Sequence, residues 1–128
     1  LGVQDALKEA NAEVVSVQAG NWEMSKANTI AAGLLTAHPD LKAILCANDS
    51  MALGAVAAIE AAGRDDVAVI GFDNISAIRP RIAEGRVLAT ADQHGDQLAV
   101  YGIETALAIL EGDAIPADRT TEVDVVTK

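Results

Sequence analysis

The hydrophobic and polar positions of this 128-residue chain follow two patterns in turn. Apolar residues three and four positions apart predict amphipathic helices, whereas short apolar or alternating runs predict strands. The strands are predicted at Glu13–Val17, Leu41–Ala47, Val67–Gly71, Val87–Ala91 and Thr120–Thr127. The helices are predicted over a stripe from Val3 to Ala10, from about Met24 to before Pro39, over Met51–Ala62, within Ser76–Glu84 and over Asp96–Leu110.

Helices and strands alternate strictly in this predicted order, and the connections between them are short. Such an order favours right-handed βαβ units and a parallel sheet. A chain of 128 residues suits one domain. We therefore predict a single α/β domain over residues 1–128, with a Rossmann-like (flavodoxin-like) three-layer fold and a mostly parallel sheet.

Single residues predict where several elements begin and end. Asn21 is predicted to cap the second helix, and Pro39 to end it, because the residue before a proline avoids helical conformation. Gly63 is predicted to follow the third helix as its C′ residue. The loop Gly112–Asp118 is the one stretch that resembles a hinge. The last helix carries two apolar stripes, which imply two packing partners or one missing neighbour.

Charge and composition exclude several classes of partner. The formal net charge is −10 and there is no basic run, which disfavours direct binding to nucleic acid or anionic membranes. The single cysteine, Cys46, lies in an apolar run and is expected to be a buried, inert thiol. The sequence has no Gly-rich phosphate loop and no Cys/His metal spacing. We therefore predict a protein that binds rather than catalyses and that uses no cofactor.

Three polar residues follow successive predicted strands by one or two positions: Asn48, Asp73 and Gln93. Because parallel strands end at the same edge of a sheet, we expect these side chains to lie along one rim. A carboxylate can accept from two adjacent hydroxyls, and an amide both donates and accepts, so the set suits a neutral polyhydroxylated ligand. Trp22 follows the first strand and Phe72 adjoins Asp73. Either ring could cover the apolar face of a sugar.

Each of these residues also has a purely structural interpretation. Asp73 could cap the following helix, Asn48 could be a turn residue, and Trp22 could belong to the core. Gln93 alone would be an exposed polar side chain. His94 also lies at the rim and could tune binding there. The joint placement of the set, rather than any one residue, favours a ligand site.

Four segments resemble the sugar-binding proteins of bacterial ABC importers, of the ribose-binding type: Leu34–Asp40, Asn48–Ala55, Val69–Asp73 and Ala89–Gln93. In that family two Rossmann-like lobes close on a sugar. The resemblance implies that this chain is the C-terminal lobe of a type I periplasmic-binding-protein fold and that about residues 94–118 pack on an absent N-terminal lobe. Because the chain opens directly on a helical pattern without a Met, we expect a processed product or a fragment.

The resemblance also implies roles for the candidate residues. Asn48, Asp73 and Gln93 would hydrogen-bond the hydroxyls of ribose or a similar monosaccharide. Trp22 would stack on the sugar ring, and Phe72 would line the pocket.

Partners and location follow from the same resemblance. The intact protein would dock on an ABC permease from the periplasm, or as a lipid-anchored extracellular protein, after removal of a signal peptide. The effector domain of LacI-type repressors shares this lobe and is the alternative. The surface left exposed by the absent lobe could support a homodimer.

Overall fold

The computed structural model describes residues 2–114 and 117–128. The elements in chain order are α1 (Gly2–Glu9), α2 (Met24–Ala37), β1 (Ala43–Leu45), α3 (Asp49–Ala61), β2 (Ala68–Phe72), α4 (Arg79–Ala83), β3 (Ala89–Asp92), α5 (Gly95–Glu111) and β4 (Asp124–Val126). The predicted hinge-like loop contains residues 115 and 116, which lie outside the described residues. Within the described ranges, no helix is both long and apolar enough to cross a membrane.

The strands form one open sheet in the order β1-β2-β3-β4. The first three are parallel, with Leu45 opposite Ile70 and Phe72 opposite Ala91, whereas β4 is antiparallel to β3. The predicted α/β class with a mostly parallel sheet is therefore confirmed. Because β1, β2 and β3 point the same way, they all end at one edge of the sheet, which we call the carboxyl edge.

The core is built where α3 packs between α2 and the sheet. Gly54 of α3 lies so close to α2 that a Cβ on it would clash with the backbone carbonyl of Met24. Asn28 Nδ2 donates to the Gly54 carbonyl at 3.1 Å across the same contact. Beneath it lies one cluster of buried apolar side chains from four elements and the connecting loops, including Leu35, Val56, Ile59, Val69, Ile78, Ile82 and Val87. α3 is therefore covered on more than one side.

The predicted ends of most helices are also confirmed. α2 ends at Ala37, before His38 and Pro39, and Gly63 follows α3 with φ +65°. Pro80 lies in the first turn of α4, where its missing N–H leaves no helical hydrogen bond unmade. Gly112 ends α5 with φ +85°, because glycine adopts the left-handed conformation at little cost.

Two predictions about the first third of the chain are wrong. Residues 13–17 form no strand, because a strand requires a hydrogen-bonded neighbour and the described sheet pairs β1 with β2 alone. The valines of this segment, Val14, Val15 and Val17, are exposed. Asn21 is not the cap of α2: Asn21 and Trp22 both have positive φ, and the cap position falls to Glu23.

The structure also trims the predicted strands. β1 covers three residues, Ala43–Leu45, where seven were predicted, and β4 covers Asp124–Val126. The ladder pairs Ala43–Leu45 with Ala68–Ile70, and β2 continues for two residues beyond it. The order of elements is as predicted except that the first strand is absent from the described sheet.

Candidate ligand-binding site

The structure brings two of the predicted site residues into contact at the carboxyl edge. Asp73 follows β2 and Gln93 follows β3, and Gln93 Nε2 donates to Asp73 Oδ1 at 2.8 Å. The neighbouring strands cause this contact, since the Asp73 N–H donates to the Ala91 carbonyl at 2.8 Å. Both side chains are half-buried. The edge therefore presents a carboxylate and an amide side by side, still partly open to solvent.

Asn48 lies at the same edge, after β1, and it caps α3. Its Oδ1 accepts from the Met51 N–H at 2.9 Å, and its backbone is extended, with φ −152°. Asn48 is therefore the N-cap of α3 rather than a simple turn residue, and its role in a ligand site stays a prediction. The cap uses only the oxygen, and among the described residues the side-chain NH₂ donates no hydrogen bond.

The two aromatic candidates occupy different surroundings. Trp22 is 66% exposed in the turn before α2, which excludes its interpretation as a core residue. Phe72 is the last residue of β2 and is half-buried. A role for Trp22 and Phe72 at the site stays a prediction.

A second group of polar residues, not predicted from the sequence, is formed by the immediate neighbours of Asp73 and Gln93 in the chain. Asn74 Nδ2 donates to Asp92 Oδ2 at 2.8 Å, and Arg79 Nε donates to Asn74 Oδ1 at 3.2 Å. The His94 N–H donates to Asp92 Oδ1 at 2.9 Å. Hydrogen bonds from the Asn74 side chain and the His94 backbone lower the pKa of Asp92. These partners hold both oxygens of the Asp92 carboxylate.

A buried pair, Asp49 and Thr90, was also missed. Both are 0% exposed, and Thr90 Oγ1 donates to Asp49 Oδ1 at 2.7 Å. Burial raises the pKa of Asp49, opposed by its hydrogen bonds from Thr90 and from the backbone of Ile75. The signal available in the sequence was a lone polar residue, Thr90, between the alanines of an otherwise apolar strand.

The segments that connect α5 to the sheet are tied together beside the site. His94, at φ +53°, has its Nε2 at 2.9 Å from Asp124 Oδ2. Thr121 Oγ1 donates to the Gln93 carbonyl at 2.8 Å. Both crossings between α5 and the sheet therefore contact each other next to Gln93.

Other possible sites are weaker. Among residues 2–114 and 117–128, no group of three or more His, Cys, Asp or Glu side chains could hold a metal ion. An open groove of about 410 Å³ between α2 and α3 is lined mostly by small side chains, together with Asn28 and Arg64. Arg64 precedes β2, so this groove extends toward the opposite edge of the sheet. The carboxyl edge thus has the denser set of polar groups.

Comparison with known proteins agrees with this geometry. The family model described as a periplasmic binding protein domain matches residues 1–114. The D-ribose/D-allose-binding protein of Pseudomonas aeruginosa is 51% identical over 131 residues, which cover 98% of this chain and 41% of that protein. The ribose import binding protein of Escherichia coli (strain K12) is 35% identical over 127 residues, which cover 99% of this chain and 43% of that protein.

The fold is shared with solved structures. The crystal structure of an ABC transporter solute-binding protein from Burkholderia multivorans matches with a TM-score of 0.91 and 52% sequence identity, over 98% of this chain and 45% of that one. This chain therefore spans less than half the length of the relatives it matches. These similarities confirm the resemblance seen in the sequence: the chain belongs to the periplasmic binding protein domain family.

Proposed function

We propose that this chain is one lobe of the solute-binding protein of an ABC sugar importer and that its carboxyl edge binds ribose or a similar monosaccharide. The observation that carries the proposal is the 2.8 Å contact between Gln93 Nε2 and Asp73 Oδ1. The contact places an ionisable acceptor beside an amide at the edge where open α/β sheets bind ligands. The names of the relatives, which specify ribose and allose, support a sugar as the ligand.

The chemistry of the edge matches adjacent hydroxyls. Asp73 Oδ2 accepts no hydrogen bond within the described residues, so it is available to a sugar hydroxyl, and Oδ1 can accept a second one. The side-chain oxygen of Gln93, Oε1, supplies a further acceptor, and the Asn48 NH₂ supplies a donor. Hydrogen bonds to a charged group contribute about 1.5–3 kcal/mol each, so Asp73 is expected to dominate the polar affinity.

A second lobe completes this proposal. No residue of α5 is buried, and its apolar side chains, including Leu98, Ile103 and Leu107, are exposed. We infer that about residues 94–118 pack on that lobe, and that sugar contacts made only when the lobes close shift the protein to its closed form. The closed form would dock on a membrane permease, in the periplasm or as a lipid-anchored protein outside the cell.

The repressor alternative is not supported by the relatives. The named relatives are binding proteins, one of them specified as an import protein, and the solved structure belongs to an ABC transporter. A repressor reading frame would carry a DNA-binding headpiece, whereas a transport protein would carry a secretory signal. The encoding gene distinguishes the two.

Isothermal titration calorimetry with D-ribose and D-allose tests the proposal on this chain joined to its second lobe. We expect Asp73→Asn to weaken binding about 10- to 100-fold, because it removes a charged acceptor. Asp65→Asn is the matched control, since Asp65 precedes β2 at the opposite edge and should leave affinity unchanged. Equal affinities of wild type and Asp73→Asn would exclude this edge as the site.

The isolated 128-residue chain provides a second test. Because it offers only one wall of the cleft, we expect it to bind ribose weakly or not at all. Micromolar affinity of the isolated chain for ribose would contradict the two-lobe mechanism while leaving the sugar site itself intact.

A further inference from the structure

The loop that carries Asp73 has an unfavourable backbone conformation, and hydrogen bonds from three successive backbone amides hold it in place. Asp73 has φ +104° and Asn74 has φ +54°, conformations that cost a residue with a side chain about 1–3 kcal/mol when strained. The Asp73 N–H donates to the Ala91 carbonyl at 2.8 Å, the Asn74 N–H to Thr90 Oγ1 at 3.3 Å, and the Ile75 N–H to Asp49 Oδ2 at 2.9 Å. Two of the three acceptors are side chains that no ligand can reach.

The carboxylate of Asp49 joins three segments of the chain. Asp49 lies next to Asn48 at the start of α3, its Oδ2 accepts from the loop after β2, and its Oδ1 accepts from Thr90 in β3. Each of these segments carries one polar candidate: Asn48, Asp73 or Gln93. The fit is tight, since a Cβ on Gly71 would clash with Asp49 Oδ1.

Burying a carboxylate here is expensive, which argues against a role in packing alone. An apolar side chain of similar size usually fills a core at equal or lower free energy than a buried charge. A carboxylate can do what an apolar group cannot, because its two oxygens accept at the same time from two different segments. Here the donors are the Thr90 hydroxyl in β3 and the Ile75 N–H in the loop after β2. The cost is offset by hydrogen bonds to loop atoms rather than by core contacts.

We propose that Asp49 and Thr90 are positioning residues that hold the Asp73–Ile75 backbone in its strained conformation and thereby preset the Asp73 carboxylate for sugar. The inference rests on the proposed function for its ligand, but not for its geometry. Neither residue touches the ligand. Their effect on affinity passes through the loop amides that they accept from.

Two substitutions of Thr90 separate positioning from packing. Thr90→Val keeps the volume and removes the hydroxyl, whereas Thr90→Ser keeps the hydroxyl and removes a methyl group. Positioning predicts that Thr90→Val is the harmful change, with sugar affinity falling about tenfold or more and Thr90→Ser staying within about threefold of wild type. Packing alone predicts that the lost methyl group of Thr90→Ser matters at least as much.

Amide hydrogen exchange of the 128-residue chain, followed by NMR, reports on the loop without sugar. In Thr90→Val, we expect the Asn74 and Ile75 amides to exchange about tenfold faster or more relative to the Val56 amide inside α3. Thr90→Ser should leave that ratio near the wild-type value. If Thr90→Val does not fold, Asp49→Leu is the second variant, since a leucine of similar size accepts from neither partner and should release the Ile75 amide.

The outcomes distinguish this inference from the proposed function. If the wild-type two-lobe protein binds no sugar, the proposed function fails, and the exchange ratios still decide whether Asp49 and Thr90 position the loop. If sugar binds but Thr90→Val and Thr90→Ser change exchange and affinity equally, the positioning role is overturned. Unchanged exchange of Asn74 and Ile75 in Thr90→Val would overturn it as well.

Discussion

The helices α3 and α5 have similar apolar sequences and opposite environments. α3 has seven buried residues among its 13, and it packs on both α2 and the sheet. α5 has 17 residues and none of them is buried. The isoleucines show the contrast: Ile59 of α3 is 5% exposed, whereas Ile103 of α5 is 62% exposed.

The difference shows that the apolar residues of a helix indicate that the helix needs a packing partner, but not that the partner lies in the same chain. α3 meets its partners within this chain, because the βαβ connections place it against β2 and α2. The chain leaves the sheet after Asp92, at the end of β3, and rejoins it at Asp124 in β4. No residue of α5, which lies between these points, is buried against the described core. An unpacked helix of this length is only marginally stable in water by propensity alone. The two helices therefore form a matched pair for experiments.

The glycines of these helices should give the largest contrast. Gly54→Ala places a Cβ against the Met24 carbonyl, and we expect a loss of about 3 kcal/mol in the free energy of unfolding, since backbone cannot yield easily. Gly102 of α5 has open space around it, so Gly102→Ala should be neutral or stabilising by up to about 1 kcal/mol. Urea denaturation measures both. Destabilisation of the same size in both variants would contradict the difference in packing.

Matched isoleucine truncations should differ by somewhat less. Ile59→Ala removes buried methyl groups, and we expect a cost of about 3 kcal/mol. Ile103→Ala acts on an exposed side chain of the isolated chain and should change stability by less than about 0.5 kcal/mol. In the two-lobe protein, Ile103→Ala should become costly as well. If it stays neutral there, α5 does not pack on the second lobe.

Thiol reactivity compares the packed region with the exposed helix by a kinetic measurement. Burial raises the pKa of Cys46 to about 11, with a smaller contribution from Asp49. Relative to a thiol at the ordinary value of 9.0, the thiolate fraction at pH 8 falls about 100-fold, and alkylation slows accordingly. A Cys46→Ser, Ala106→Cys protein places the thiol on α5 instead and should react at the rate of a free thiol. The structure leaves Cys46 half-buried rather than fully buried as predicted. Urea should make the two rates equal, and a fast Cys46 in the folded chain would contradict its partial burial.

Self-association should give the smallest effect. If the exposed apolar face of α5 packs on the same face of a second copy, the isolated chain should form homodimers. These should be weak, because one helix face buries less area than the roughly 1,200 Å² of a stable interface. Sedimentation equilibrium should show association that Ile103→Gln with Leu107→Gln abolishes, whereas Glu111→Gln on the same helix leaves it unchanged. A monomer at every concentration would remove the homodimer prediction and leave the two-lobe proposal standing.

The position of the candidate site along the sheet edge was predictable from the sequence, but the contacts between its residues were not. Asn48, Asp73 and Gln93 could be found because each follows a strand, and a rim position depends only on strand order. Their partners could not be found. The Gln93–Asp73 contact joins residues 20 apart and the Thr90–Asp49 contact residues 41 apart, and no local pattern records such pairs.

The sequence by itself determined the order of elements, most helix ends, the family and the edge that carries the polar residues, because periodicity, proline and glycine act over a few neighbouring positions. Only the tertiary structure decided that residues 13–17 are unpaired, that Asp49 and Thr90 are buried together and that α5 is uncovered. Strand pairing and burial each depend on two segments that are distant in the sequence, whereas a local pattern describes only one segment.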